Sequence, residues 1–214
     1  MEQVRESLFP FHEDIDKIVA KDIQKFVKKV LWSFPNYFWT QPASSTGKYH
    51  PSCTVKEGGL LVHTKRVIWF GEKLIRAHKL EMKSDADLLM AAFILHDGQK
   101  GGKGYGNYDD YVNHPILVRE RYIKSEHNIK GENPEEAETI FEIIKYHMGP
   151  WTPESVKKPM CFYSEMELIM YHADYMAAQK ELSTPVDNVV TVQTKHKNKD
   201  QLEFELEENN VLNH

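Results

Sequence analysis

The chain has 214 residues, which is enough for one domain with a sizeable core and short for two. Its hydrophobic and charged fractions, 41% and 28%, are those of an ordinary globular protein and argue against a fibrous or disordered chain. The formal net charge of -5 offers no basic surface for duplex nucleic acid. A nucleotide substrate is compatible with this charge, because bound cations can supply local positive charge.

The number of cysteines and the length of the apolar runs indicate the cellular compartment in which the protein is expected. Cys53 and Cys161 are too few for a disulfide scaffold, and two free thiols fit a reducing environment. The longest apolar run, residues 88–95, is too short to span a bilayer, and residues 1–11 lack the apolar centre of a signal peptide. These features predict a cytoplasmic protein that does not engage a membrane, and they leave its oligomeric state open.

Helical periodicity dominates the chain, because apolar residues recur three and four positions apart. Serine N-caps, prolines at first helical positions and a capping box mark several helix starts. These patterns predict an all-α bundle. The predicted helices span 13–33, 60–78 and 84–96, and three more begin at His114-Pro115, Asn133-Pro134 and Ser164-Glu165.

The segments between these helices are predicted to be irregular. Residues 36–58 form a long loop, and long loops in compact domains are often functional. Residues 99–113 are rich in glycine and tyrosine and are not expected to form a regular helix. Within them, residues 101–106 predict a flexible flap rather than a P-loop, which would need a Gly-Lys-Ser/Thr ending and a preceding strand. Residues 1–183 are therefore predicted to form a single domain, and 184–214 a small appendage. That appendage is either a hairpin with strands near 189–192 and 202–206 or a frayed tail.

Several titratable residues end or interrupt the apolar stripes of separate helices. A lone inward histidine is usually satisfied by a backbone carbonyl, but buried carboxylates cost free energy unless something pairs with them. A divalent cation would satisfy the whole set, and the absence of thiolates argues against a structural zinc site. One or two ions of manganese, iron, nickel, zinc or magnesium fit these donors, and such ions activate water for attack. The residues are His63, His96, Asp97, His147 and Asp174.

The order of these residues resembles that of a known family. The series His63, His96-Asp97, His114, His147 and Asp174 is similar to that of the HD superfamily of metal-dependent phosphohydrolases. The resemblance covers about residues 49–180. The sequence segments around these residues also resemble those of the family: Gly58-Gly59-Leu60-Leu61-Val62-His63-Thr64, Leu95-His96-Asp97, Tyr146-His147 and Ala173-Asp174-Tyr175.

This resemblance implies an HD-domain helical bundle with its metal site in the middle. His114 and His147 match the additional histidines of two-metal members, in which the aspartate of the pair bridges both ions. A shared anion suits two cations about 4 Å apart. His114 also has an alternative interpretation, as an exposed residue at the helix start ahead of Pro115. The ligands implied for the first metal ion are His63, His96, Asp97 and Asp174.

Two closer resemblances lie just before this motif. The Gly58-Gly59 helix entry, preceded by Tyr49-His50, is similar to the HD domains of bacterial 3′–5′ exoribonucleases. Residues 43–51, Ala-Ser-Ser-Thr-Gly-Lys-Tyr-His-Pro, also resemble HD proteins of phages and Gram-positive bacteria. No nucleic-acid-binding domain is evident ahead of this region, and that departure weakens the exonuclease interpretation.

Side chains near the predicted ligands are candidates for substrate contact. Lys100 matches a position where family members often place a lysine against the substrate phosphate, and its alternative is a solvated loop residue. His50 and Lys48 could stabilise a leaving group or a phosphate oxygen, or simply lie on a surface loop. We predict Asp97, Lys100 and His50 as catalytic residues. Loop aromatics that could stack on a base or merely pack are Tyr105, Tyr108, Tyr111 and Trp151.

The predicted function is a metal-dependent phosphohydrolase that cleaves a phosphoester bond of a nucleotide or nucleotide-derived small molecule. The hydrolytic chemistry follows from the residues, whereas the phosphoester specificity comes from the resemblance. One alternative is a 3′–5′ exonuclease or cyclic-nucleotide phosphodiesterase, for which single-stranded nucleic acid is a candidate partner. An alternative of another class is a non-catalytic HD protein that binds or senses nucleotides.

Overall fold

The structure, a computed structural model, describes residues 10–44, 47–81, 84–101, 108–124 and 134–188. Within these ranges the chain is helical and contains no strand, which confirms the predicted all-α class. The predicted strands at 189–192 and 202–206 lie outside the described residues, as do residues 102–106 of the predicted flap. The helices are α1 (His12–Asp16), α2 (Lys21–Trp32), α3 (Tyr37–Thr40), α4 (Gly59–Ala77), α5 (Ser84–Leu95), α6 (Tyr108–Lys124), α7 (Pro134–Lys145) and α8 (Glu165–Ala178).

Helix α5 lies at the centre of the bundle. Its residues 89–95 are all buried, so it is apolar on every side, as expected of a helix enclosed by others. It packs against α2, α4, α7 and α8, and α4 packs in turn against α8. The chain leaves α5 at Leu95, so His96 and Asp97 follow in the interior of the protein.

The single helix predicted over 13–33 is wrong, because the chain breaks between α1 and α2. The backbone N–H groups of Val19 and Ala20 donate to the two carboxylate oxygens of Asp87, at 2.9 Å and 2.8 Å. This carboxylate on α5 satisfies donors at the start of α2 that the local sequence leaves uncapped. Val19, predicted to lie on the apolar stripe, is 81% exposed at the break. A contact about 70 residues away along the chain therefore ends a helix that the periodicity continues.

The predicted loop over 36–58 is more ordered than expected, since it contains α3 and a 3-10 helix at Ser52–Thr54. It folds back on itself, and the Ala43 N–H donates to the Thr54 carbonyl at 2.8 Å. A Cβ on Gly59 would lie 2.0 Å from that same Thr54 oxygen, and Gly58 has a φ of 71°. The glycine pair thus lets the loop lie against the start of α4.

Helix α6 begins at Tyr108, so the prediction that Pro115 occupies its first position is wrong. Pro115 lies inside the helix and cannot donate to the carbonyl of Tyr111 four residues earlier. The Nδ1 of His114 lies 2.6 Å from that carbonyl oxygen and supplies the missing donor. Residues 108–113, predicted to be irregular, are therefore helical.

The other helix starts agree with their sequence signals. Helix α7 begins at Pro134, as the proline predicts. The capping box of α8 is formed in full: Ser164 Oγ accepts from the Glu167 N–H, and the Glu167 carboxylate accepts from the Ser164 N–H. Cys53 and Cys161 are free thiols, as predicted.

A search of the described helices for one both long and apolar enough to cross a membrane found none.

Helices α4 and α5 pack so closely at Gly71 that we expect Gly71→Ala to destabilise the protein. A Cβ at this position would lie 2.2 Å from the ring of Phe93, which is fully buried and has no room to move. Overpacking of this kind costs about 1–3 kcal/mol, more than the gain of up to about 1 kcal/mol in helix propensity. Urea unfolding of both proteins measures the difference. A more stable variant would contradict the close packing.

Candidate metal centre

The predicted ligands come from five helices or their ends and meet in the interior. His63 lies on α4, His114 on α6 and Asp174 on α8, whereas His96-Asp97 directly follows α5 and His147 lies in the turn after α7. The histidines and Asp97 are at most 2% exposed, and only the side chain of Asp174 reaches 21%. His114 is 1% exposed, so the alternative of an exposed helix-start residue is wrong.

Three of the imidazoles are oriented by the same local device. In each, Nδ1 lies within hydrogen-bond distance of the backbone carbonyl three residues earlier: His96 to Phe93 at 2.9 Å, His114 to Tyr111 at 2.6 Å and His147 to Ile144 at 2.8 Å. A carbonyl only accepts, so Nδ1 must carry the proton. When such a ring is neutral, its Nε2 atom presents its lone pair to the site, as metal-binding histidines do. Sequence reasoning missed this device, although for His96 and His147 a histidine just past a helix end is its visible signal.

The donor atoms form two adjacent groups. The first ligand group is His63, His96 and Asp174, and the second ligand group is Asp97, His114 and His147; within each, the ligand atoms lie within 4.8 Å of one another. In the first, His63 Nε2 lies 2.9 Å from Asp174 Oδ1. In the second, Asp97 Oδ1 lies 3.1 Å from His114 Nε2 and 3.8 Å from His147 Nε2.

Asp97 lies between the two groups. Its second oxygen, Oδ2, is 3.4 Å from His96 Nε2 and 3.6 Å from His63 Nε2. One carboxylate therefore presents Oδ1 to the second ligand group and Oδ2 to the first. This is the placement that a carboxylate shared by two neighbouring cations requires.

The chemistry of these donors fits a cation. The Nε2 atoms of His114 and His147 are 3.0 Å apart, although both rings present lone pairs there unless one is protonated. His96 Nε2 and Asp97 Oδ1 are buried and have no hydrogen-bond partner among the described residues. Buried acceptors left in this way are costly unless a cation or proton lies between them. Borderline or hard divalent ions suit such imidazole and carboxylate ligands.

The ionisation of the histidines favours coordination. Burial, followed by the neighbouring His114, lowers the pKa of His147 to about 3. Burial also lowers the pKa of His63 below its usual value. At His96 burial favours the neutral ring, but the charge and hydrogen bond of Asp97, together with the charge of Asp174 and the Phe93 carbonyl, outweigh burial and raise the pKa. At neutral pH, His63 and His147 are thus in the unprotonated form that binds metal.

The carboxylates are ionised in spite of their burial. Burial alone would raise the pKa of Asp97, but Lys100 and His96 hold it well below its usual range. Burial is likewise outweighed at Asp174, where the hydrogen bond from His63 lowers the pKa. The site therefore concentrates negative charge on two oxygen donors in the interior, where a cation is attracted most strongly.

Lys100 and His50 lie beside the ligands. Lys100 Nζ donates to Asp97 Oδ2 over 2.7 Å, and its side chain is 13% exposed. The structure therefore contradicts the alternative of a solvated loop lysine. The His50 ring lies 5.7 Å from that of His63, and burial together with His63 and Lys100 lowers the pKa of His50 to about 4.

The loop residues predicted to contact a substrate phosphate or base are less well placed than Lys100 and His50 to do so. Lys48 stacks on Tyr49 with Nζ 5.0 Å from the ring centre, and Tyr49 is 64% exposed, so this part of the loop faces outward. The Tyr111 ring lies 5.9 Å from that of His114, and Trp151 is 62% exposed. Tyr105 and the side chain of Tyr108 lie outside the described residues.

Comparison with known proteins gives one match. The family model described as HD domain matches residues 60–191, which is more than half of the chain and includes every residue of both ligand groups. No curated protein and no solved structure matches the chain significantly. The resemblance to particular exoribonucleases and phage proteins therefore stays a prediction.

Proposed function

The chain belongs to the HD domain family, whose superfamily consists of metal-dependent phosphohydrolases. We propose that it hydrolyses a phosphoester bond of a nucleotide or nucleotide-derived small molecule. The observation that carries this proposal is the position of Asp97, with one oxygen toward each of two groups of imidazole and carboxylate donors. Few arrangements other than a hydrolytic metal centre require such a set of buried donors.

Each group of residues has its own part in this proposal. The first and second ligand groups would hold one divalent ion each, and Asp97 would hold both. Ions bound there supply Lewis acidity, which activates water and stabilises negative charge on phosphorus-bound oxygens. The i−3 carbonyl contacts keep His96, His114 and His147 in the required tautomer, so the lone pairs of these three rings need no reorganisation.

Lys100 and His50 are proposed to contact the substrate. The charge of Lys100 acts in the site itself, since it lies against Asp97 and is felt at His50 and His63. A lysine in this position can neutralise a phosphate oxygen as a point charge. His50 has a buried Nδ1 without a hydrogen-bond partner among the described residues, so it has a polar atom available for a leaving-group oxygen.

A substrate screen tests the proposal. Metal-free protein is loaded with manganese, nickel or magnesium and assayed for phosphate or nucleoside release from nucleoside mono-, di- and triphosphates and cyclic dinucleotides. We expect turnover with at least one ion and none after chelation. Metal-loaded protein that hydrolyses no member of the panel would contradict the proposal.

A second candidate is a phosphodiesterase, acting either as a 3′–5′ exonuclease or on cyclic nucleotides. The geometry that favours it is the pair of ligand groups on either side of Asp97, because two ions can clamp both the attacking and the leaving oxygen of a diester. A fluorescent single-stranded oligonucleotide and a cyclic mononucleotide separate these substrates from monoesters.

A nucleotide sensor without turnover is the candidate of another class. Binding alone does not need two complete ligand groups, so the intact set argues against it. Tight nucleotide binding by the metal-loaded protein, without hydrolysis of any phosphoester, would favour this function instead.

We expect Lys100→Ala to retain bound metal at saturating concentration and to lose about 10- to 100-fold in kcat/KM. The ligands of both groups remain, whereas the positive charge for the substrate phosphate is lost. Elemental analysis after gel filtration measures the metal, and steady-state kinetics measure kcat/KM. Lys157→Met, at an exposed pair with Glu154, is the control and should leave both unchanged. Wild-type kinetics in Lys100→Ala would remove this lysine from the mechanism.

A further inference from the structure

Lys100 is bound to the oxygen of Asp97 that faces the first ligand group. Its Nζ donates to Oδ2 over 2.7 Å, and Oδ2 is the atom near His96 Nε2 and His63 Nε2, at 3.4 Å and 3.6 Å. Oδ1 differs, because it faces His114 at 3.1 Å and has no hydrogen-bond partner among the described residues. The two oxygens of this carboxylate are thus unequal, and the lysine lies on one side.

The charge of Lys100 also has little access to water. Its side chain is 13% exposed, and Asp97 is 0% exposed at the side chain. A lysine and an aspartate at such depth are tolerated as a pair, since each compensates the charge of the other. A divalent ion in the first ligand group would need the same oxygen and would repel the ammonium at close range.

We propose that Lys100 is the counterion of Asp97 when no metal is bound, and that a metal ion must displace its ammonium to enter the first ligand group. The inference rests on the metal binding contained in the proposed function. It explains how the buried carboxylate of Asp97 can be accommodated in the folded protein before metal arrives. It also means that Lys100 weakens metal affinity, in exchange for a stable metal-free protein.

The sign of the change in metal affinity on removing Lys100 distinguishes a competing counterion from a residue that orients a metal ligand. A residue that orients a ligand strengthens metal binding, so its removal lowers affinity by 10- to 100-fold. A competing counterion has the opposite sign, because its removal leaves Asp97 uncompensated and more attractive to a cation. On the flexible four-carbon stem of lysine, the displaced ammonium can move while the backbone stays in place.

Isothermal titration of chelator-treated protein with manganese tests this proposal, with wild type and Lys100→Met in parallel. We expect the variant to bind the metal about tenfold more tightly or better, the scale expected for removal of one nearby positive charge. We also expect the melting temperature of the metal-free variant to fall, and metal to restore it to that of metal-loaded wild type. Neither measurement depends on turnover.

Two further variants keep the result decisive. Lys100→Gln can still donate a hydrogen bond to Oδ2 without a charge, so it replaces Lys100→Met if that protein does not fold without metal. Lys157→Met removes an exposed lysine with the same 2.7 Å contact to an acid three residues earlier, and should match wild type. Equal or weaker metal binding by the Lys100 variants overturns the proposal. Absence of manganese, nickel and magnesium binding by wild type instead overturns the proposed function.

Discussion

Asp97→Ala is expected to lose its bound metal and about 10³-fold or more of its turnover, since both ligand groups depend on this one carboxylate. No other described acid lies within 4 Å of nitrogens from both groups: Asp174 Oδ1 is near His63 and His96 in the first group. The variant also leaves Lys100 buried without its carboxylate partner, which opposes cation binding further. Elemental analysis and the nucleotide assay measure the two losses.

Asp14→Ala is the matched control for this experiment. Asp14 is also a buried aspartate paired with lysine, but it lies on α1, where it pairs with Lys17 and Lys65 and belongs to neither ligand group. We expect it to keep wild-type metal content. Circular dichroism checks that each variant is folded. An Asp97→Ala protein that is metal-free and fully active would overturn the mechanism.

Arg66→Met is expected to destabilise the protein by about 3–5 kcal/mol, the usual cost of breaking a buried charge pair from one side. Arg66 is fully buried on α4, and its guanidinium bonds Asp187 and the backbone carbonyls of Ala177, Gln179 and Leu182. It thereby fixes the end of α8 and the 3-10 helix at Pro185–Asn188 against α4. Its replacement leaves three carbonyls and a carboxylate without this donor. Chemical unfolding measures the loss.

The dependence of the unfolding free energy on pH in the acid range provides an independent check on the Arg66–Asp187 pair. Burial would raise the pKa of Asp187, but Arg66 and Thr184 outweigh burial and lower it. A lowered pKa means that the pair stabilises the protein above the unfolded aspartate pKa of about 3.9, and that this stability is lost as pH falls through the lower folded value. We therefore expect the difference between wild type and Arg66→Met to shrink below about pH 4. Lys157→Met, at an exposed pair, should lose less than about 1 kcal/mol at any pH.

The residues of the candidate site could be found from sequence because burial and polarity conflict there. His63, His96 and His147 continue apolar stripes, and such positions predict inward side chains. The six predicted ligands do meet in one place in the structure. The family resemblance implied two sets of ligands that share Asp97, but the sequence could not show which oxygen of Asp97 faces which set, because that depends on distances between different helices.

The two errors in the helix predictions arise where a side-chain hydrogen bond outweighs the expectation from periodicity or proline. One of these side chains comes from another helix, and the other belongs to the residue next to the proline. The Asp87 carboxylate accepts hydrogen bonds from the N–H groups of Val19 and Ala20, and this interrupts a helix that the local pattern favours. His114 bonds the Tyr111 carbonyl that Pro115 leaves free, so α6 continues through the proline.

The sequence by itself determined the all-α class, most helix starts, the family and the set of candidate ligands, because these depend on spacing, caps and residue chemistry. Only the tertiary structure decided the tautomers of the histidines, the pairing of Lys100 with one oxygen of Asp97 and the anchoring of residues 184–188 by Arg66. The physical reason is the directional nature of hydrogen bonds and charge pairs. Their partners are fixed by distance and angle in the folded protein, which sequence separation does not specify.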